Sequence, residues 1–271
     1  RRQRQMCIRD SHISDSTVIG FPHMHLSGTG IGDLFDITLM PVVGDVTYAR
    51  GQESDPQSGL WSYSDRSKEV VKPGYYATHL MRYDVDVELT TTKRVGFHKY
   101  TFNQKENTAV VFDLQNGGCW DGPTEAYINK VDEKTIEGYR YSTGWANDQR
   151  VYFVAEFSQP ITSMDVMVDK GEAVPDKGEG KIVYARANVD AKEPIYIKVA
   201  LSPTSIENAK MNMQAELPEW DFEGTVAQAD QAWEKALAKV EMESSCEKTK
   251  KIFYTALYHT MIAPSEFCDV N

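Results

Sequence analysis

The chain has 271 residues, a formal net charge of -11 at pH 7, 41% hydrophobic residues and 25% charged residues. That is enough apolar material for one large domain or a domain and a half, while the acidity argues against a nucleic-acid partner, because phosphate binding needs a basic face. No apolar run approaches the roughly 18 residues of a membrane span, and Cys7, Cys119, Cys246 and Cys268 form no CxxC pair, so they read as free, mostly buried thiols.

The first eleven residues, RRQRQMCIRDS, carry four arginines and one acid without hydrophobic periodicity, and they read as a non-native leader. From Ile37 to about Leu201 the pattern is strand after strand. In YDVDVEL, Tyr83, Val85, Val87 and Leu89 alternate with Asp84, Asp86 and Glu88, which predicts a half-buried strand with those carboxylates on a solvated face. VGFHKYTF reads as its partner, and the shift of apolar parity between Phe97 and Tyr100 predicts a β-bulge. Val110, Phe112 and Leu114, then RVYFVAEF, KIVYARANV and PIYIKVALS, supply further strands, separated by turn signals such as KPGYY, QNGG and DKGEG. Many short strands without helical patterns between them predict a mainly β, antiparallel sandwich rather than a parallel nucleotide-binding sheet.

After Pro203 the periodicity becomes helical. A short helix is expected over 204–216, and a second begins at Thr225 as N-cap and carries Val226, Ala229, Trp233, Ala236 and Val240 on a core stripe. A third, EKTKKIFYTALYHTMIAP, places Phe253, Leu257 and Met261 together and ends at Pro264. The expected domains are a sandwich over 12–203, a helical linker over 204–246 and the start of a helical domain over 247–271.

Residues 20–41, GFPHMHLSGTGIGDLFDITLMP, carry the densest chemistry. Gly28, Gly30 and Gly32 give GxGxG without a strand-turn-helix unit, which excludes a dinucleotide loop, and no Lys-Ser/Thr follows for a P-loop. His23 and His25 face one way in an extended segment but lack a third ligand at metal-site spacing. Short polar side chains around glycines also suit a sugar pocket, or an ordinary turn. Spacing does not choose between them.

The stretch resembles the GFSHTHLSGTG…DLGDILLMP signature of glycoside hydrolase family 92, the calcium-dependent exo-α-mannosidases. The likeness continues through HISDSTVIGF, VKPGYYATHLMRYDVDVELTTTKRVGFHKYTF, TIEGYRYSTGWANDQRVYFVAEF and KKIFYTALYHTMIAPSEFCDVN, in the family's order. Met24 and Pro22 stand where the signature has threonine and serine. The resemblance implies a supersandwich-like β domain, linker helices and an (α/α)6 catalytic barrel, of which this chain holds only the beginning, as an interior fragment. It also implies an inverting hydrolase, in which a glutamic acid protonates the leaving oxygen and an aspartate activates water, with carboxylates roughly 6.5–9.5 Å apart. Ca2+ would bind the O2 and O3 hydroxyls of a terminal mannose.

On that resemblance no catalytic residue and no metal ligand is assigned within the chain; both are expected beyond Asn271, so the chain alone is expected not to release mannose. His23, His25, Ser27 and Asp33 are the expected substrate-binding edge, with Trp61 an exposed stacking platform on a polar loop. Trp120 is a weaker second platform, Trp145 a core or corner residue, and Trp233 core. The expected partners are a mannose-terminated oligosaccharide and the chain's own barrel domain, in a periplasmic, secreted or cell-surface protein. The rival reading is a free-standing carbohydrate-binding or interaction module without hydrolase activity.

Overall fold

The structure, a computed structural model, describes residues 17–24, 34–52, 54–55, 57–118, 121–262 and 266–270. In chain order its first strands are β1 (Thr17–Val18), β2 (Phe21–Pro22), β3 (Thr38–Val43), β4 (Ser62–Tyr63), β5 (Val70–Lys72) and β6 (Tyr75–Leu80). Next come β7 (Val85–Thr91), β8 (Val95–Phe102), β9 (Thr108–Asp113), β10 (Gly122–Lys130), β11 (Thr135–Thr143) and β12 (Gln149–Phe157). Then follow β13 (Ile161–Val168), β14 (Ala173–Pro175), β15 (Lys177–Gly180), β16 (Val183–Val189) and β17 (Ile195–Ser202).

Alternation decides which sheet face is wet and which is dry. One sheet has nine strands in the order β15-β10-β11-β12-β17-β8-β7-β6-β5, and the other has six, β14-β13-β16-β9-β3-β2; β1 and β4 form a separate pair. Every pairing within these sheets is antiparallel. The dry faces meet in one core: Leu39, Phe112, Val166 and Ala185 of the smaller sheet pack with Val85, Val87, Tyr100, Phe153 and Ile197 of the larger. Phe112 stacks on Phe153 across the gap, with centroids 6.0 Å apart.

The bulge expected in β8 is absent. Its registers with β7 and β17 run without a break, so the parity change has another cause: both faces of the strand are covered. His98, Tyr100 and Phe102 turn into the sandwich, whereas Val95 and Phe97 turn to a second cluster with Ala209, Met213, Leu217 and Phe222. Register shifts occur instead in β10, between Pro123 and Glu125, and in β13, between Ile161 and Ser163.

Two helices supply that second cover, and a third packs on the second of them. α1 (Ile206–Glu216) starts on Ser205, whose hydroxyl accepts from the Asn208 amide. α2 (Phe222–Leu237) starts on Asp221, four residues ahead of the expected Thr225. The Asp221 carboxylate accepts from the Gly224 amide at 2.8 Å, a stronger cap than a threonine hydroxyl. Thr225 lies inside the helix and donates to the Asp221 carbonyl at 2.7 Å. The early start brings Phe222 onto Phe97, with centroids 5.2 Å apart and rings edge to face. Burying a phenylalanine here contributes roughly 1.5–3 kcal/mol.

α3 (Glu247–Thr260) follows Cys246 and ends before the expected Pro264, which lies outside the described residues. Trp233 joins α2 to Tyr258 of α3 at 4.6 Å, but it is half-buried rather than core. Cys246 and Cys268 are exposed, contrary to the expected buried thiols: one sits at the N-cap of α3 and the other in an extended segment held by its backbone. Cys7 and Cys119 lie outside the described residues, as does the leader over 1–11.

Candidate functional site

The strand registers gather one set of loops at one end of the sandwich. Ser142 pairs with Gln149, Tyr152 with Ser202, and Ala200 with Val95. The β11–β12 tip (144–148), the start of α1 and the β7–β8 turn (92–94) therefore lie along the same edge. Pro123 pairs with Ser142, which adds Asp121 to that end, and Arg140 adds Asp36.

Arg140 is the centre of this end. It is fully buried, and its Nη1 donates to Asp36 at 2.5 Å, its Nη2 to Asp121 at 2.6 Å and its Nε to the Leu114 carbonyl at 2.8 Å. Burial opposes the Arg140 charge, but the two carboxylates outweigh it and hold its pKa above the ordinary value. Burial pushes Asp121 up, against the lowering effect of Arg140. Asp113 is pushed up to about 6 by burial although the Gln115 and Asn116 amides bond its carboxylate at 2.9 Å. Asp36 Oδ2, Asn116 Nδ2 and Gln149 Nε2 are buried and have no partner among the described residues.

His23, expected at a sugar edge, instead lies in the core. It is 3% exposed; its Nδ1 donates to the Ile37 carbonyl at 2.5 Å, and its Nε2 is 2.8 Å from Nε2 of His98. His98 Nδ1 is in turn 2.7 Å from the Tyr100 hydroxyl. Both ring nitrogens of His23 are thereby used inside the protein, and the residue ties the β2–β3 connection to the opposite sheet.

Trp61, expected as an exposed platform, is buried as well. It is 4% exposed rather than an open platform, with the Arg82 guanidinium 4.8 Å from its ring centroid and Tyr63 edge-on at 5.1 Å. Arg82 is fixed there by the carbonyls of Gly59 and Trp61, so the polar loop folds over the indole. Trp145, expected in a core or corner, is 55% exposed at the β11–β12 tip. His25, Ser27, Asp33 and Trp120 lie outside the described residues. Asp84 and Asp86 are half-exposed on β7 and its approach and partner His79, as a solvated strand face should.

A second arrangement escaped sequence reasoning. Asp269 accepts hydrogen bonds from Ser202, Thr204, Asn208 and Asn212, and the Val270 amide donates to Asn212 Oδ1 at 2.9 Å. Arg94 donates to the carbonyls of Cys268 and Asp269 and pairs with Glu216. Partial burial works against the Asp269 charge, but those donors hold its pKa below the ordinary value. This clip closes one side of a cleft of about 580 Å3 between the β7–β8 turn, α2 and the segment after α3, with Thr91, Lys93, Gln228, Trp233 and Glu266 among its lining.

Among the described residues, no group of three His, Cys, Asp or Glu side chains is placed to hold a metal ion. The buried carboxylates do not fit calcium: Asp36 and Asp121 already face the Arg140 guanidinium, which would repel a dication.

A family model described as the glycosyl hydrolase family 92 N-terminal domain matches residues 6–202, and the family 92 catalytic domain model matches 208–271. The chain belongs to glycosyl hydrolase family 92. The two matches meet at the junction of β17 and α1. The family GH92 α-mannosidase BT3965 from Bacteroides thetaiotaomicron superposes with a TM-score of 0.89 at 32% identity, over 94% of this chain and 36% of that one. Its complex with mannoimidazole gives the same TM-score at 31% identity, over 95% and 35%. An uncharacterized secreted glycosidase of Arthroderma benhamiae is 24% identical over 94% of this chain and 36% of its own length. The chain thus spans about a third of the length of these family members. No described helix is long and apolar enough to cross a membrane.

Proposed function

We propose that this chain forms the sandwich and first helices of an exo-acting α-mannosidase, which removes terminal α-mannosides from glycans or mannans with inversion and with calcium. The observation that carries this reading is the pair of family 92 matches in tandem, joined to superposition on an α-mannosidase at 32% identity. In this reading the end built around Arg140 forms one rim of the sugar cleft. His25, Ser27 and Asp33 are the proposed sugar contacts, while His23 and Trp61 hold the rim's framework. Calcium enters on the family resemblance alone. Export to the periplasm or cell surface is the proposed location, supported by the secreted relative.

The test joins this chain in one protein to a complete family 92 catalytic domain. α-Mannobiose should then yield free mannose, first as the β-anomer, with activity lost to a chelator and restored by calcium. A folded protein that releases no mannose would refute the reading. Release that ignores the chelator would remove calcium from it.

A further inference from the structure

We infer that Leu34 is a positioning residue of the proposed sugar rim, fixing the chain where it reaches Asp33; this rests on the mannosidase reading above. Seven non-glycine residues among those described take a positive φ. Asp84, Asn107, Asp169 and Asp176 have short polar side chains that tolerate this backbone, and Lys170 stands in an exposed turn. Leu34, with φ 60°, and Ile37, with φ 56°, are the two apolar ones. Glycine would take either conformation without strain, and the same region uses one at Gly20, with φ 146°. Strain of this kind persists only where the surroundings impose it.

The turn is held tightly from the core side. The His23 amide donates to the Asp36 carbonyl at 3.0 Å, and His23 Nδ1 donates to the Ile37 carbonyl at 2.5 Å. The Phe35 amide donates to the Gly117 carbonyl at 3.5 Å, and Arg140 grips the Asp36 carboxylate. Phe35, Asp36 and Ile37 are all buried. These ties account for Ile37, whose carbonyl and side chain both serve the core. They do not account for Leu34, which is half-buried and precedes the first of these tied residues. Its left-handed backbone joins the anchored residues to Asp33, the last of the proposed sugar contacts. A contact carried on a backbone that is already set loses little freedom when its ligand binds.

Two substitutions test this, because Leu34→Gly frees the backbone, whereas Leu34→Asn removes the same leucine but keeps the left-handed preference. Hydrogen exchange on the 271-residue chain reads the lock itself. Leu34→Gly should speed exchange over 34–38 by about tenfold or more, and Leu34→Asn by less than about threefold. Equal exchange in the two variants would overturn the inference. In the protein joined to a family 92 catalytic domain, Leu34→Gly should raise KM for α-mannobiose about fivefold or more, with kcat within about twofold. Leu34→Asn should stay within about threefold of the wild-type KM. An unchanged KM in Leu34→Gly, or an equal rise in both variants, would show a packing role only and overturn the inference. A joined protein that releases no mannose, with the exchange contrast intact, would uphold the lock and refute the mannosidase reading together with the sugar role.

Discussion

The Nε2 atoms of His23 and His98 lie 2.8 Å apart, and the Ile37 carbonyl decides which of them carries the proton. A carbonyl only accepts, so His23 Nδ1 is protonated and its Nε2 is a lone pair. His98 Nε2–H then donates to it, which leaves His98 Nδ1 to accept from the Tyr100 hydroxyl. The chain of bonds is complete only while both rings are neutral.

Burial sets the consequence. It lowers the His23 pKa to about 4, against the raising effect of the Ile37 carbonyl, and lowers His98 well below the ordinary value, helped by repulsion from His23. An unfolded histidine titrates near 6.5. The stability these rings contribute is therefore fully present above pH 6.5 and is lost as pH falls through 6.5 toward 4, by ~3 kcal/mol for His23. Urea unfolding at pH 7.5 and 4.5 should show that loss in the wild type. The variant carrying His23→Gln and His98→Gln, in which neither position titrates, should lose less over the same interval by more than the ~3 kcal/mol of His23 alone, because His98 adds to it; an equal loss would refute the assignment.

Arg140→Met should destabilise the protein by about 3–5 kcal/mol, because it leaves the Asp36 and Asp121 carboxylates buried without their cation. Adding Asp36→Asn and Asp121→Asn should recover part of the loss. Thermal melts of the single and triple variants check both statements, and a triple variant no better than the single one would contradict the charge argument.

Much of this fold was legible. Alternation in β7, β12 and β17 marks their dry faces because each presents an apolar face to the same core. β8 misled for the opposite reason: two covers erase alternation, and a strand buried on both sides imitates a bulge. The site was less legible. Arg140 interrupts β11 as one charge in a tyrosine-rich run, and nothing local reveals carboxylates 104 and 19 positions away. Trp61 is buried and Trp145 exposed, the reverse of the expectation, because flanking polarity does not reveal whether a loop folds back over its own indole.

Asp269→Ala should release the segment after α3. The four side chains that grip the carboxylate lose their acceptor, at a cost of about 1–3 kcal/mol. Hydrogen exchange should rise at least tenfold over 266–270 and along α3, while β7, β8 and β17 keep their protection. Unchanged exchange would show that the segment is held without this carboxylate, by Arg94 and the bond from Val270 to Asn212.

Trp61→Ala should cost about 3–5 kcal/mol by cavity formation. Trp61→Phe, which keeps a ring under Arg82, should cost less than half of that. Neither should alter disaccharide affinity in a variant that remains folded, and a selective loss of affinity would restore Trp61 as a contact.

The double cover of β8 bears on how the chain avoids misfolding. A strand that is apolar on both sides gains nearly as much burial when it pairs one residue out of step, so hydrophobicity alone would tolerate the error. Such a slip would carry Lys99 into the place of His98, setting a cation against His23 and stranding the Tyr100 hydroxyl. The histidine pair thus works as a proofreading mark: it penalises the wrong alignment where greasiness cannot, at the strand that joins sandwich to helices.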